Sequence, residues 1–282
     1  MTSLCNNVKF SYNLIKGSVR QRKKFVSQTN EKMFEAFYTE LKNNCSFSKF
    51  KKVYARTIPE YKEVKISKFQ EDKYACAAQD YIYDENKGIL GLTLEIPTQK
   101  SKNIFKRILK TIFNPRYTEI SKEKLIDIMH ENTHILDTLA HPKQTALTQK
   151  LYLGGKYNKR RNKLYDYSLY KKEGMCVQKI KPKKVLGRVK KETMKFLADK
   201  SVEEQIAHLQ DMRYQLEQER HAYAEERKYA EILKSRGEKV PPCYLQDCDK
   251  LYLFTEKIEF LKSLAFKLIK KERMRLAKQY TN

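Results

Sequence analysis

From Ser201 to Gly237 the chain carries one helical pattern with a marked start and a marked stop. Ser201-Val-Glu-Glu204 has the form of a capping box, in which a hydroxyl and a carboxylate each accept from the other residue's backbone N–H. Gly237, followed by Pro241 and Pro242, closes the pattern. At 1.5 Å per residue such a helix spans roughly 50 Å, which commits a chain of 282 residues to a helical framework. The scarcity of backbone breakers agrees, since 8 glycines and 7 prolines leave room for few loops. A second pattern begins at Asp249, with Leu251, Phe254, Ile258, Leu261, Ala265 and Leu268 at helical spacing. It is expected to fold back on the first as an antiparallel hairpin.

The N-terminal half reads differently. Residues 30–52 are expected to be helical, with Met33, Phe34, Phe37, Tyr38 and Leu41 at helical spacing. A β-type region follows: Val64-Lys65-Ile66 alternates, and the runs Tyr74 to Tyr83 and Ile89 to Ile96 flank a turn, Asp84-Glu-Asn-Lys-Gly88, as in a hairpin. The expected fold class is α+β, predominantly helical, with a small antiparallel sheet beside the helix over residues 121–140 and a C-terminal hairpin of long helices. Along the chain this divides into an N-terminal helical segment (1–55), the sheet with that helix (56–155), a basic, tyrosine-rich linker or loop (156–191) and the helical hairpin (192–282).

The helix over 121–140 names a chemistry. It contains His130-Glu131-Asn132-Thr133-His134, and two histidines four apart on a helix lie on one face, close enough to share a Zn²⁺ ion. A glutamate after the first histidine is then placed to act as a general base toward an activated water. Ser121 is expected as N-cap, Glu123 suits the first turn, and Pro142 stops the helix after Ala140. Leu125, Ile128, Met129, Ile135, Leu136 and Leu139 share one face; Asp127, His130, Glu131, His134 and Asp137 fall on the other. The bland alternative is an amphipathic helix with two surface histidines. A third ligand is needed. The pattern with glycine three and histidine six residues after His134 fails, because Asp137 and Ala140 occupy those positions. His141 is one residue out of register and remains a minor alternative ligand.

Glu219 is the better candidate. On the 201–237 helix the apolar stripe runs through Leu209, Met212, Leu216, Tyr223, Ala230 and Leu233; Glu219 and Glu226 fall on that inward side, whereas Glu217, His221 and Glu225 point away. A carboxylate directed at a core is costly unless paired or metal-bound. The competing explanation for Glu219 is an ion pair with Arg220 or Arg227.

The HExxH helix followed by a later helix carrying Glu219-x-x-Ala222 resembles the zincin metallopeptidases in their gluzincin arrangement. The resemblance covers these two helices. It implies a zinc peptidase with His130, His134 and Glu219 as ligands and Glu131 as the base. Asp137, Tyr223 and Glu226 are candidates for orienting a ligand or stabilising the transition state, against the alternatives that Asp137 is a solvated surface residue and Tyr223 a packing one. In zincins a small sheet precedes the metal helix and its edge strand lines the cleft, so Ile89, Leu90, Gly91, Leu92, Thr93 and Leu94 are by that analogy the strand that pairs with an extended substrate.

Net charge supplies a rival reading. Lys and Arg number 59 against 34 Asp and Glu, a formal +25. From Lys156 to Lys191 stand 14 basic residues with only Asp166 and Glu173 as acids, interleaved with Tyr157, Tyr165, Tyr167 and Tyr170. Such a segment suits nucleic acid or an anionic surface, or is simply a solvated lysine-rich loop. Asn103 to Phe113 is a short basic amphipathic stretch suited to a membrane surface. A non-catalytic basic helical protein that binds nucleic acid or anionic membrane is thus the alternative to the peptidase. No apolar run is long enough to span a bilayer, the N-terminus lacks a signal-peptide pattern, and the six scattered cysteines lack a CxxC pair. A cytoplasmic protein with free thiols is expected. Cys243 and Cys248 form at most a weak structural-metal pair.

Overall fold

The computed structural model describes residues 18–42, 47–57, 64–70, 78–84, 88–98, 124–152, 163–173, 176–245 and 248–280. The chain divides into two compact units, neither of them a continuous stretch. The first comprises Met1–Ala146 with His221–Leu245, the second Leu147–Arg220 with Gln246–Asn282.

The first unit opens with helices α1 (Val19–Lys42) and α2 (Phe47–Thr57). The sequence's single helical segment is thus two helices, and the first starts earlier than its apolar spacing indicated. The start is capped: Ser18 N–H donates to Gln21 Oε1 at 2.7 Å and Gln21 N–H to Ser18 Oγ at 3.3 Å. Phe37 stacks on Phe50, with ring centroids 4.2 Å apart, and so joins the two helices.

Strands β1 (Lys65–Gln70), β2 (Ala78–Asp84) and β3 (Gly88–Thr98) form one sheet in the order β1-β3-β2. The β2-β3 hairpin is antiparallel as its turn signal predicts, with a register shift at Ile82/Tyr83 that leaves Leu90 as an extra residue. β1, however, runs parallel to β3, so the sheet is mixed rather than antiparallel. A hairpin's direction is set by its own turn; which edge a more distant strand joins, and in which direction, is decided by burial of its apolar face. Centrality explains the composition of β3, whose Leu92, Leu94 and Ile96 are all fully buried. The substrate-strand expectation fails for Thr93 and Leu94, which are paired on both sides; Ile89, Gly91 and Leu92 have β2 as partner on one side.

Helix α3 (Lys124–Ala140) packs against α1, β2 and β3. Its expected two-faced character does not hold: Asp127, Asn132, Thr133, His134 and Asp137 are as buried as the apolar residues. A helix enclosed on most sides must satisfy its polar groups internally. Asn132 Nδ2 donates to Asn30 Oδ1 at 2.7 Å, Asn30 Nδ2 to Thr133 Oγ1 at 2.8 Å, and Tyr54 OH to Asn132 Oδ1 at 3.2 Å. Thus the two middle residues of the HExxH pattern anchor its helix to α1 and α2. Helix α4 (Pro142–Tyr152) follows directly.

The second unit contains the hairpin β4 (Tyr170–Glu173) and β5 (Cys176–Lys179), then helix α5 (Pro182–Leu197). Residues 156–191 are therefore no linker where they are described: Leu164, Tyr167 and Leu169 are buried, and so are Val185, Leu186 and Val189 on α5. The long helix α6 (Val202–Ser235) carries the expected capping box, with Ser201 N–H to Glu204 Oε2 at 2.9 Å and Glu204 N–H to Ser201 Oγ at 3.2 Å. It ends at Gly237, where φ is 78° and the Glu238 N–H reaches back to the Leu233 carbonyl at 3.0 Å. α6 runs unbroken through both units.

After the one-turn α7 (Pro242–Leu245) comes α8 (Cys248–Tyr280). Val202, Glu203 and Gln205 at the start of α6 line a hollow of about 450 Å³ together with Leu268, Lys271, Glu272 and Arg275 near the end of α8, the arrangement of an antiparallel hairpin. α8 also packs on α5, where the buried Lys257 ammonium donates to Thr193 Oγ1 and to the Val189 carbonyl. Cys243 and Cys248 are exposed. No helix among the described residues is long and apolar enough to cross a membrane. Ser121, Glu123 and the 103–113 stretch lie outside the described residues.

Candidate metal centre

One turn of α3 sets His130 above His134, and their Nε2 atoms lie 3.2 Å apart. The tautomer of His130 follows from its other nitrogen. An ionised Glu226 Oε2 can only accept, so His130 donates Nδ1–H to it at 2.8 Å, and in the neutral imidazole the lone pair then sits on Nε2, the atom facing His134. Two ring nitrogens held by a tetrahedral zinc at about 2.0–2.1 Å lie roughly 3.3–3.4 Å from one another. Among the described residues, ligand atoms of His130, His134 and Glu219 all fall within 4.8 Å of each other, a group that could hold a metal ion. Two imidazoles and a carboxylate are a donor set suited to zinc with one position left open. Glu131 is half-buried on the same helix turn.

Helix α6 supplies the flanking groups at a period of seven and four residues. Glu226, 6% exposed, lies two turns beyond Glu219 and holds His130. Tyr223, one turn beyond Glu219, sets its ring edge-on to His130, with centroids 4.8 Å apart at 79°. A phenol that packs against a ligand ring restricts its rotation, in keeping with the packing alternative for Tyr223.

Asp137 stands neither in solvent nor on a ligand histidine. It is 4% exposed and accepts Nδ1–H of His221 at 2.9 Å. Burial alone would lower the His221 pKa, but the hydrogen bond and charge of Asp137, helped by Glu225, prevail and raise it. The hydrogen bond ties α3 to α6. His221 was expected to point away from the core, and so was Glu225; yet Glu225 is buried and accepts from Ser27 Oγ at 3.3 Å. Glu225 faces α1 and His221 faces Asp137 on α3, neighbours that a single apolar stripe does not reveal. His141 is not in the ligand group: its Nδ1–H is turned to the Asp137 carbonyl at 3.1 Å, and burial lowers its pKa.

In the second unit Tyr167, one of the tyrosines interleaved with the basic residues of the 156–191 segment, is buried edge-on to Phe254. Burial raises its pKa, and the charge of Glu219 raises it further. No sequence signal marked Tyr167 as a neighbour of Glu219. No protein-family model, curated protein or solved structure matches this chain.

Proposed function

We propose that this chain is a zinc-dependent peptidase of the zincin type, with a gluzincin-like ligand set of His130, His134 and Glu219. The observation that carries the reading is the convergence of those three groups, with the two Nε2 atoms 3.2 Å apart. Zinc held by such a set would polarise a carbonyl and lower the pKa of water toward neutrality. Glu131, next to His130 on the same helix, would serve as the general base of the hydrolysis. Glu226 keeps His130 in the tautomer that ligates, and Tyr223 keeps its ring in place.

The test is elemental mass spectrometry on protein purified without a metal-binding tag. Near-stoichiometric zinc in the wild type, lost in His134→Ala, is the expected result. Absence of zinc in fresh protein, with none taken up on titration, would defeat the proposal and favour the non-catalytic basic protein instead.

A further inference from the structure

Beyond Leu261, α8 continues for nearly five turns in which no residue from Lys262 to Lys278 is buried. Which side faces the rest of the second unit is given by Leu268, Lys271, Glu272 and Arg275, which line the hollow beside the start of α6. These four lie within about 100° of arc on a helical projection. The opposite arc holds Phe266, Lys270 and Arg273 at its centre, Ile269 and Leu276 on one flank and Met274 on the other. Phe266 is 70% exposed, Met274 53% and Leu276 41%. That outward arc contains no acid, because Glu272 is on the inner side and paired with Arg275. Lys267, Lys270, Lys271 and Arg273 make no ion pair among the described residues.

We propose that this outward face of α8 is a docking surface for an anionic phospholipid membrane. Cations interspersed with exposed Phe, Met and Leu and a half-buried Ile on one arc match the two layers of a bilayer interface. Apolar side chains enter the acyl boundary while the long lysine and arginine stems reach back to headgroup phosphates. A nucleic acid would neutralise the cations yet leave the aliphatic groups in water, and a second copy of so basic a helix would repel it. The surface lies on the second unit and is independent of the metal reading.

Co-sedimentation of the full chain with vesicles tests it, using phosphatidylcholine alone and phosphatidylcholine with about one third phosphatidylserine. Binding is expected only to the anionic vesicles and should weaken as salt is raised. Phe266→Ser with Leu276→Ser should lower the bound fraction about tenfold, and Lys270→Glu with Arg273→Glu should abolish binding. All four positions are outward, so circular dichroism should remain that of wild type. No preference for anionic vesicles overturns the proposal. So does wild-type binding by the apolar pair, or capture of a single-stranded oligonucleotide without capture of vesicles.

Discussion

Glu131 and Glu226 are both partly or fully enclosed carboxylates, but they stand in different relations to the proposed chemistry. Glu131 follows the first histidine on the ligand helix. Replacing it by Gln should leave zinc content unchanged and remove peptide hydrolysis, and normal turnover by Glu131→Gln in a casein or peptide-library assay would refute its role as base. Glu226 acts through His130. Glu226→Gln should weaken zinc affinity by roughly 10- to 100-fold, read by competition with a chromogenic chelator, because a neutral amide no longer favours the Nδ1–H tautomer. The third titrating residue of interest lies in the second unit. Burial, assisted by the nearby Lys200, pushes His208 down to about 4. The folded state then holds this imidazole neutral, while the unfolded chain protonates near 6.5. Stability is complete above about pH 6.5 and falls as pH drops toward 4. Urea titrations across that window should show the decline, and His208→Gln should flatten it.

Elements in this molecule are delimited by local chemistry and positioned by distant contacts. The ends of α6 illustrate the local part. Ser201→Ala should cost about 1 kcal/mol through loss of the capping box. Gly237→Ala should cost about 1 kcal/mol as well, since nothing crowds a Cβ there and only the positive φ is strained. Both values are measurable by chemical denaturation. The anchoring of α3 shows the distant part. Asn30 bonds both Asn132 and Thr133 within the core, so Asn30→Ala removes two buried hydrogen bonds and should destabilise by about 1–3 kcal/mol. Such polar pairings across a hundred residues cannot be read from periodicity, which records only how many neighbours are apolar. The same limit hid the burial of Asp137, His221 and Glu225, whose counterparts come from separate helices.

At the scale of the whole molecule, a formal charge of +25 acts on both units. Self-repulsion of that size favours expansion, and it is screened as the Debye length contracts from about 30 Å at 0.01 M salt to about 10 Å at 0.1 M. The melting temperature should therefore rise across this range of sodium chloride, and a flat response would mean that the charge is locally compensated. The amino-acid sequence by itself determined what depends on near neighbours: the helical class, the caps of α6, the β2-β3 hairpin and the one-turn spacing that stacks His130 on His134. Helical and strand periods are fixed by backbone geometry, and turn residues act within a few positions. Only the tertiary structure decided that β1 joins the far side of β3, that the 156–191 region holds a hairpin and half a helix, and that Glu226 rather than Asp137 orients His130. It also brought Glu219 within reach of the two histidines. These outcomes depend on which buried faces and charges meet across long stretches of chain, and that is settled by packing the complete molecule rather than by any segment of it.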